Sequence, residues 1–292
     1  MNASASLENE NFSGVIRFVE NLGAAFKPLT HINHPAQNLF NSGGLNFEHI
    51  FNGTEKDEKI SWFTPRKDEH EIISVSPIQA IVKHDSATSA WAMDSEMMYA
   101  LTNSSVDLDF KVRFHEDRFP LGYAAMMWAS YMTGTKDRRI HFLGESGDES
   151  GWISFGKSEK GDIETGTVAA RGAPLLPYEE NSATLNIVES ETKRFTQPFY
   201  YGLLDQRDPT SGNEIAYVMM FDQIDPIRFA MWNFVRNEAK QPDTHRPAWD
   251  WQYVVREPEI GKWYGYRARV QCLPISSPDD VLDAYKHWQN RL

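Results

Sequence analysis

The chain has 292 residues, 41% of them hydrophobic, and a formal net charge of −12. A chain of this length can bury a large core, as one big β-domain or two ordinary ones. The acidic balance, without any run of clustered Lys and Arg, argues against nucleic acid or an anionic membrane surface as a partner. The one cysteine, Cys272, excludes an intrachain disulfide and a Cys-based zinc site, and reads as a buried small hydrophobe.

Residues 1 to 13 are polar and expected to fray, with a single β-sandwich domain expected over 14 to 292. The opening MNASASLENENFSG has neither a basic start nor an apolar h-region. No later segment approaches the roughly 18 apolar residues needed to span a bilayer, so a cytoplasmic protein is expected. GVIRFV and AAFKPL, separated by Glu20 to Gly23, read as a hairpin. The loop HINHPAQNLFNSGG follows; its His31 and His34 match no standard zinc spacing, and no metal or other cofactor is expected. In LNFEHIF, adjacent Glu48 and His49 are expected to face opposite sides of a strand, so at most one reaches a pocket. Arg66, after Pro65, is placed at a rigid turn.

The clearest strand signal lies further on. Val106, Leu108, Phe110, Val112 and Phe114 alternate with Asp107, Asp109, Lys111 and Arg113, a pattern that buries one face and wets the other only as a β-strand in an antiparallel sheet. EIISVS, IQAIVKH and EMMYALT precede it, and GYAAMMWASYM, RIHFL, GWISFGK, TLNIVES, FTQPFYYGLL, EIAYVMMFD, IRFAMWNFV, WDWQYVVRE and YGYRARVQCL come after it. Gly144 to Gly151 and Asp205 to Gly212 are the softest candidate domain boundaries. Only SPDDVLDAYKHWQNR reads as a helix, with Ser277 as N-cap, Pro278 in the first position, and Val281, Leu282, Tyr285 and Trp288 on one face. The fold class expected is all-β, a large antiparallel sandwich with a short C-terminal helix.

Tyr99-Ala100-Leu101-Thr102, a short polar turn and then Val106 to Phe110 resemble the central strand pair of galactose-mutarotase-like proteins. GLNFEHIFNG, WASYM followed by IHFLG, and PAWDWQ are similar to segments of bacterial proteins of this general type. The resemblance implies a supersandwich and a sugar ligand, in a group that spans epimerases, lyase domains and sugar-binding relatives. Aldose epimerases pair an early Asn-Arg with a mid-chain His and a late Glu; here Arg66 follows Pro65, His141 lies in Ile140 to Leu143, and the late segment reads Trp249-Asp250-Trp251-Gln252.

Sugar pockets combine flat apolar walls with a few polar groups. Trp128, Ser130 and Tyr131 are read as sharing one strand face, while Trp249 and Trp251 face one way and Asp250 and Gln252 the other. The expected partner is a small or oligomeric saccharide, with no nucleic acid, no membrane, and an oligomer left open. The candidate acid/base groups are His141, His49 and Asp250; the candidate substrate contacts are Arg66, Trp128, Tyr131, Trp249 and Gln252. Epimerisation or β-elimination is the chemistry such groups suit. Non-catalytic glycan binding, or assembly through exposed aromatics, is the alternative.

Overall fold

The computed structural model describes residues 4–19, 23–31, 38–54, 60, 63–159, 165–179, 189–233 and 246–292, and in it the alternating segments have become strands. In chain order they are β1 (Ser4–Glu8), β2 (Phe12–Val19), β3 (Gly23–His31), β4 (Phe40–Phe51), β5 (Glu71–Ser76), β6 (Gln79–His84), β7 (Met93–Leu101), β8 (Ser105–Phe114) and β9 (Tyr123–Met132). The second half adds β10 (Ile140–Ser146), β11 (Glu149–Phe155), β12 (Thr165–Ala170), β13 (Glu189–Phe195), β14 (Phe199–Arg207), β15 (Glu214–Phe221), β16 (Ile227–Trp232), β17 (Ala248–Arg256) and β18 (Trp263–Ile275). One helix, α1 (Asp279–Gln289), follows. None of the described helical residues forms a span long and apolar enough to cross a membrane.

The strands pair into two layers. One runs β1-β2-β3-β4-β9-β17-β16-β12. The other runs β5-β6-β7-β8-β18-β15-β14-β10-β11. Strand β13 joins them, parallel to β12 and antiparallel to β10. Between the layers lies an aromatic core. Trp128 is stacked between Phe47 (4.4 Å, 10°) and Trp251 (5.7 Å, 3°), and Phe110 meets it edge-on at 4.5 Å. Trp251 Nε1 donates to the Tyr266 hydroxyl at 2.8 Å, so this indole is buried with its polar end satisfied.

Strand β8 follows its sequence closely. Val106, Leu108, Phe110, Val112 and Phe114 are buried in this core, while Arg113 bonds Asp94 and Asp107 bonds Arg269 on the outer face. The helix also lands where its apolar stripe requires. Val281, Tyr285 and Trp288 are buried against Phe199, Tyr201, Val218 and Met220 on the outside of the second layer. Its start differs from expectation: the side chain of Ser277 makes no cap, and the Asp280 carboxylate instead accepts the N–H groups of Ser276 and Ser277 at 2.7 and 3.0 Å.

Three further expectations are corrected. Residues 4–8 do not fray: Ser-Ala-Ser-Leu-Glu is itself a period-two pattern, and β1 turns Ala5 and Leu7 into the core beside β2. Gly144 to Gly151 is no boundary but the hairpin of β10 and β11, with Gly147 at φ +60° in the tight turn. Asp205 to Gly212 likewise closes the β14–β15 hairpin.

Candidate active site

The site begins with an irregularity in β4. Phe47 lies opposite Trp128 on β9 and His49 opposite the very next residue, Met127, so one extra residue, Glu48, is inserted in β4. Such a bulge cancels the strict alternation of a strand and re-aims the side chains around it. Glu48 and His49, expected on opposite faces, therefore meet: His49 Nε2 is 3.1 Å from Glu48 Oε1. A bridge between His49 and Pro65 brings in the turn carrying Arg66, whose Nη1 reaches the same oxygen at 2.9 Å. The Arg66 guanidinium also lies over the rings of Phe63 and Tyr131, at 5.1 and 5.9 Å.

Tyr131 completes the cluster, and its parity differs from the sequence reading. On β9, Ala124, Met126, Trp128 and Met132 enter the main core; Tyr123, Ala125, Met127, Ala129 and Tyr131 form the opposite face. The Tyr131 hydroxyl donates to Glu48 Oε1 at 2.8 Å. A Cβ on Gly43 would overlap the Tyr131 ring, so a residue without a side chain is what lets that ring lie flat against β4. On β17, beside β9, Trp249 and Trp251 enter the main core and Asp250 and Gln252 turn the other way. Asp250 Oδ1 accepts the Ser130 N–H at 2.9 Å.

The two carboxylates are pushed apart in proton affinity. Burial alone would raise both. At Glu48 it is outweighed by His49, by the Arg66 charge and by the Tyr131 hydroxyl, and the carboxyl is held below the usual range. Among the described residues Asp250 has one backbone donor, the Ser130 N–H, against full burial and the nearby Glu48 charge, so it is raised well above that range. Glu48 therefore gives up its proton more readily than an ordinary carboxyl, and Asp250 holds its proton more tightly than one. Glu48 Oε1 takes all three contacts, while the buried Oε2 has no hydrogen-bond partner among the described residues.

A second polar cluster on this face was not singled out from sequence. Arg228 on β16 lies opposite Gln252. Its Nη1 donates to Gln252 Oε1 at 3.1 Å, and its Nη2 to Thr167 Oγ1 and Glu189 Oε2 at 2.8 and 2.7 Å. The available signal was a charge in IRFAMW, a segment apolar on both faces.

The structure thus brings His49, Arg66 and Tyr131 onto Glu48, sets Asp250 within electrostatic reach of that carboxylate, and places Gln252 on the same face. Trp128 and Trp249 do not join them: both are fully buried between the layers, because their strand parity points inward. His141 is on the other layer. It stacks on Tyr201 at 5.0 Å, on the side covered by α1, and the whole aromatic core separates it from His49. His34 lies outside the described residues.

Behind Arg66, a cavity of about 10 Å³ is lined by Phe47, His84, Ser95 and Tyr99, and an open cleft of about 460 Å³ extends from His84 past His70 and Arg113 to Trp263. Burial, with a smaller contribution from His70, lowers the His84 imidazole to about 3. The unfolded chain therefore binds this proton first. Stability is full above the ordinary value of 6.5 and falls as pH drops toward 3. The slope is about 1.4 kcal/mol per pH unit at its steepest. His84→Gln is expected to flatten this part of the profile, read as urea midpoints between about pH 6.5 and 4; an unchanged slope would remove His84 as its source.

An aromatic core between two broad antiparallel layers, with a polar face outside one of them, is the galactose-mutarotase-like supersandwich. The chain is similar in structure to an aldose 1-epimerase candidate from Escherichia coli K12 (TM-score 0.52, 10% identity, covering 93% of this chain and 99% of that one). It is also similar to a galactose-mutarotase-related enzyme from Lactobacillus acidophilus (0.54, 10%, 92% and 97%) and to a galactose mutarotase-like protein from Lactobacillus casei (0.50, 10%, 92% and 100%). No protein-family model matches the chain, and no curated protein matches it.

Proposed function

We propose that the protein binds a saccharide on this face and interconverts its anomers or epimers by paired proton transfer. The observation that carries the reading is the pair of carboxyl groups on one face, one favoured as the anion and carrying a spare oxygen, the other favoured in its protonated form. Environments that drive two titratable groups apart are how a site holds a base and an acid at one pH. For a cyclic aldose, Glu48 Oε2 takes the proton of the anomeric hydroxyl while Asp250 gives its proton to the ring oxygen. The bond from the anomeric carbon to the ring oxygen breaks, the freed aldehyde turns, and the reverse transfers close the ring on its other side. Arg66 and Tyr131, tied to Glu48, keep its charge in place as the proton moves.

The three solved structures named above, described as epimerase or mutarotase relatives, support a sugar as the ligand. The test is polarimetry on freshly dissolved aldoses. Relaxation faster than the spontaneous rate, lost in Asp250→Asn, is expected. Saturable binding without any acceleration would leave a sugar-binding protein and remove the catalytic reading.

A further inference from the structure

Among the described residues, Arg228 carries more positive charge around it than its one acidic partner, Glu189, balances. Glu189 Oε2 is 2.7 Å from Arg228, and its other oxygen is 3.1 Å from Arg194, so two guanidinium groups share one carboxylate. Arg256 lies within electrostatic reach as a third. In a chain of net charge −12, this buried point is locally positive. Two buried donors there also lack acceptors: Arg228 Nε and the Tyr123 hydroxyl have no hydrogen-bond partner among the described residues. Buried donors of this kind are costly to leave unmatched, and a charged one most of all.

The cluster adjoins the acid/base pair. Gln252 accepts from Arg228 and stands two residues from Asp250 on the same strand face, about 6.6 Å along the strand. One hexose with a charged substituent spans that interval. We infer that Arg228 anchors an oxyanion on the sugar, a phosphate or a carboxylate, so that the substrate is an acidic saccharide. This rests on the saccharide reading above and narrows it. The planar fork of arginine matches either anion in two-point contact, and Glu189 fixes the fork in place before the ligand arrives.

Calorimetric titration with glucose, glucose 6-phosphate, glucuronate and inorganic phosphate tests the inference without requiring turnover. At least one acidic sugar is expected to bind about tenfold or more tightly than glucose, the value of one charge-assisted hydrogen bond, and which one does so separates phosphate from carboxylate. Arg228→Gln is expected to abolish that preference. Glu189→Gln, which removes the competing carboxylate, is expected to strengthen binding of the acidic sugar, a gain that damaged folding cannot imitate. Glucose binding as tightly as both acidic sugars, or a preference that survives Arg228→Gln, would overturn the inference. Phosphate bound through Arg228 while no sugar binds would sink the saccharide reading and leave the anion site standing.

Discussion

Glu48→Gln is expected to slow sugar turnover by about 10²- to 10⁴-fold, the range one positioned proton acceptor supplies. The amide keeps the size of the side chain and removes its charge. Arg66, buried and held by Glu48, then loses its anionic partner, so stability should fall as well, by about 3–5 kcal/mol if the pair behaves as a broken buried ion pair. The two effects separate by measurement. Near-ultraviolet circular dichroism and urea midpoints report folding, and polarimetry on the folded fraction reports chemistry. The pH profile gives the sign. Activity that needs Glu48 charged and Asp250 protonated rises with pH as Glu48 loses its proton and falls again as Asp250 does, the lower limb lying below the ordinary carboxylate range and the upper limb well above it. Glu48→Gln should abolish the lower limb, and a folded variant with unchanged turnover would remove Glu48 as the base.

Trp128→Ala is expected to cost about 3–5 kcal/mol, the range for deleting a large aromatic from a packed core. The indole is fully buried, stacked on Phe47 and Trp251 and met edge-on by Phe110, so no neighbour can collapse into the space without giving up its own stacking. The loss appears as a lower urea midpoint with little change in slope. Trp263→Ala gives the contrast: this ring is 43% exposed, and its removal is expected to change stability by less than about 1 kcal/mol. A Trp128 variant as stable as the parent would mean that the core is not organised around this stack.

How much was legible follows from what period-two reasoning can see. It found β8 with its inward apolar row, the split of Trp249 and Trp251 from Asp250 and Gln252, and the apolar stripe of α1, because regular geometry sets the facing of each side chain there. It failed wherever a strand was not regular. The bulge at Glu48 is invisible to a count of alternation, and so the meeting of Glu48 with His49 was ruled out in advance. The facing of Tyr131 was misjudged by one residue. His141 sits on a strand as expected, but periodicity says nothing about which layer a strand joins, and β10 belongs to the layer away from the site. Arg228 was passed over because a lone charge in an apolar strand looks like noise until its partners from β12, β13 and β17 are in place.

The inserted residue in β4 also bears on engineering. Ironing out the bulge with Glu48 retained, so that it pairs on β9 like any other strand residue, would restore an even ladder, and evenness is the danger. Every residue on one side of Glu48 would then swap sides, driving a charged or imidazole group among stacked aromatics while an apolar side chain came out in its place. Anyone transplanting this polar patch into another scaffold must therefore carry over a length defect as well as a set of amino acids.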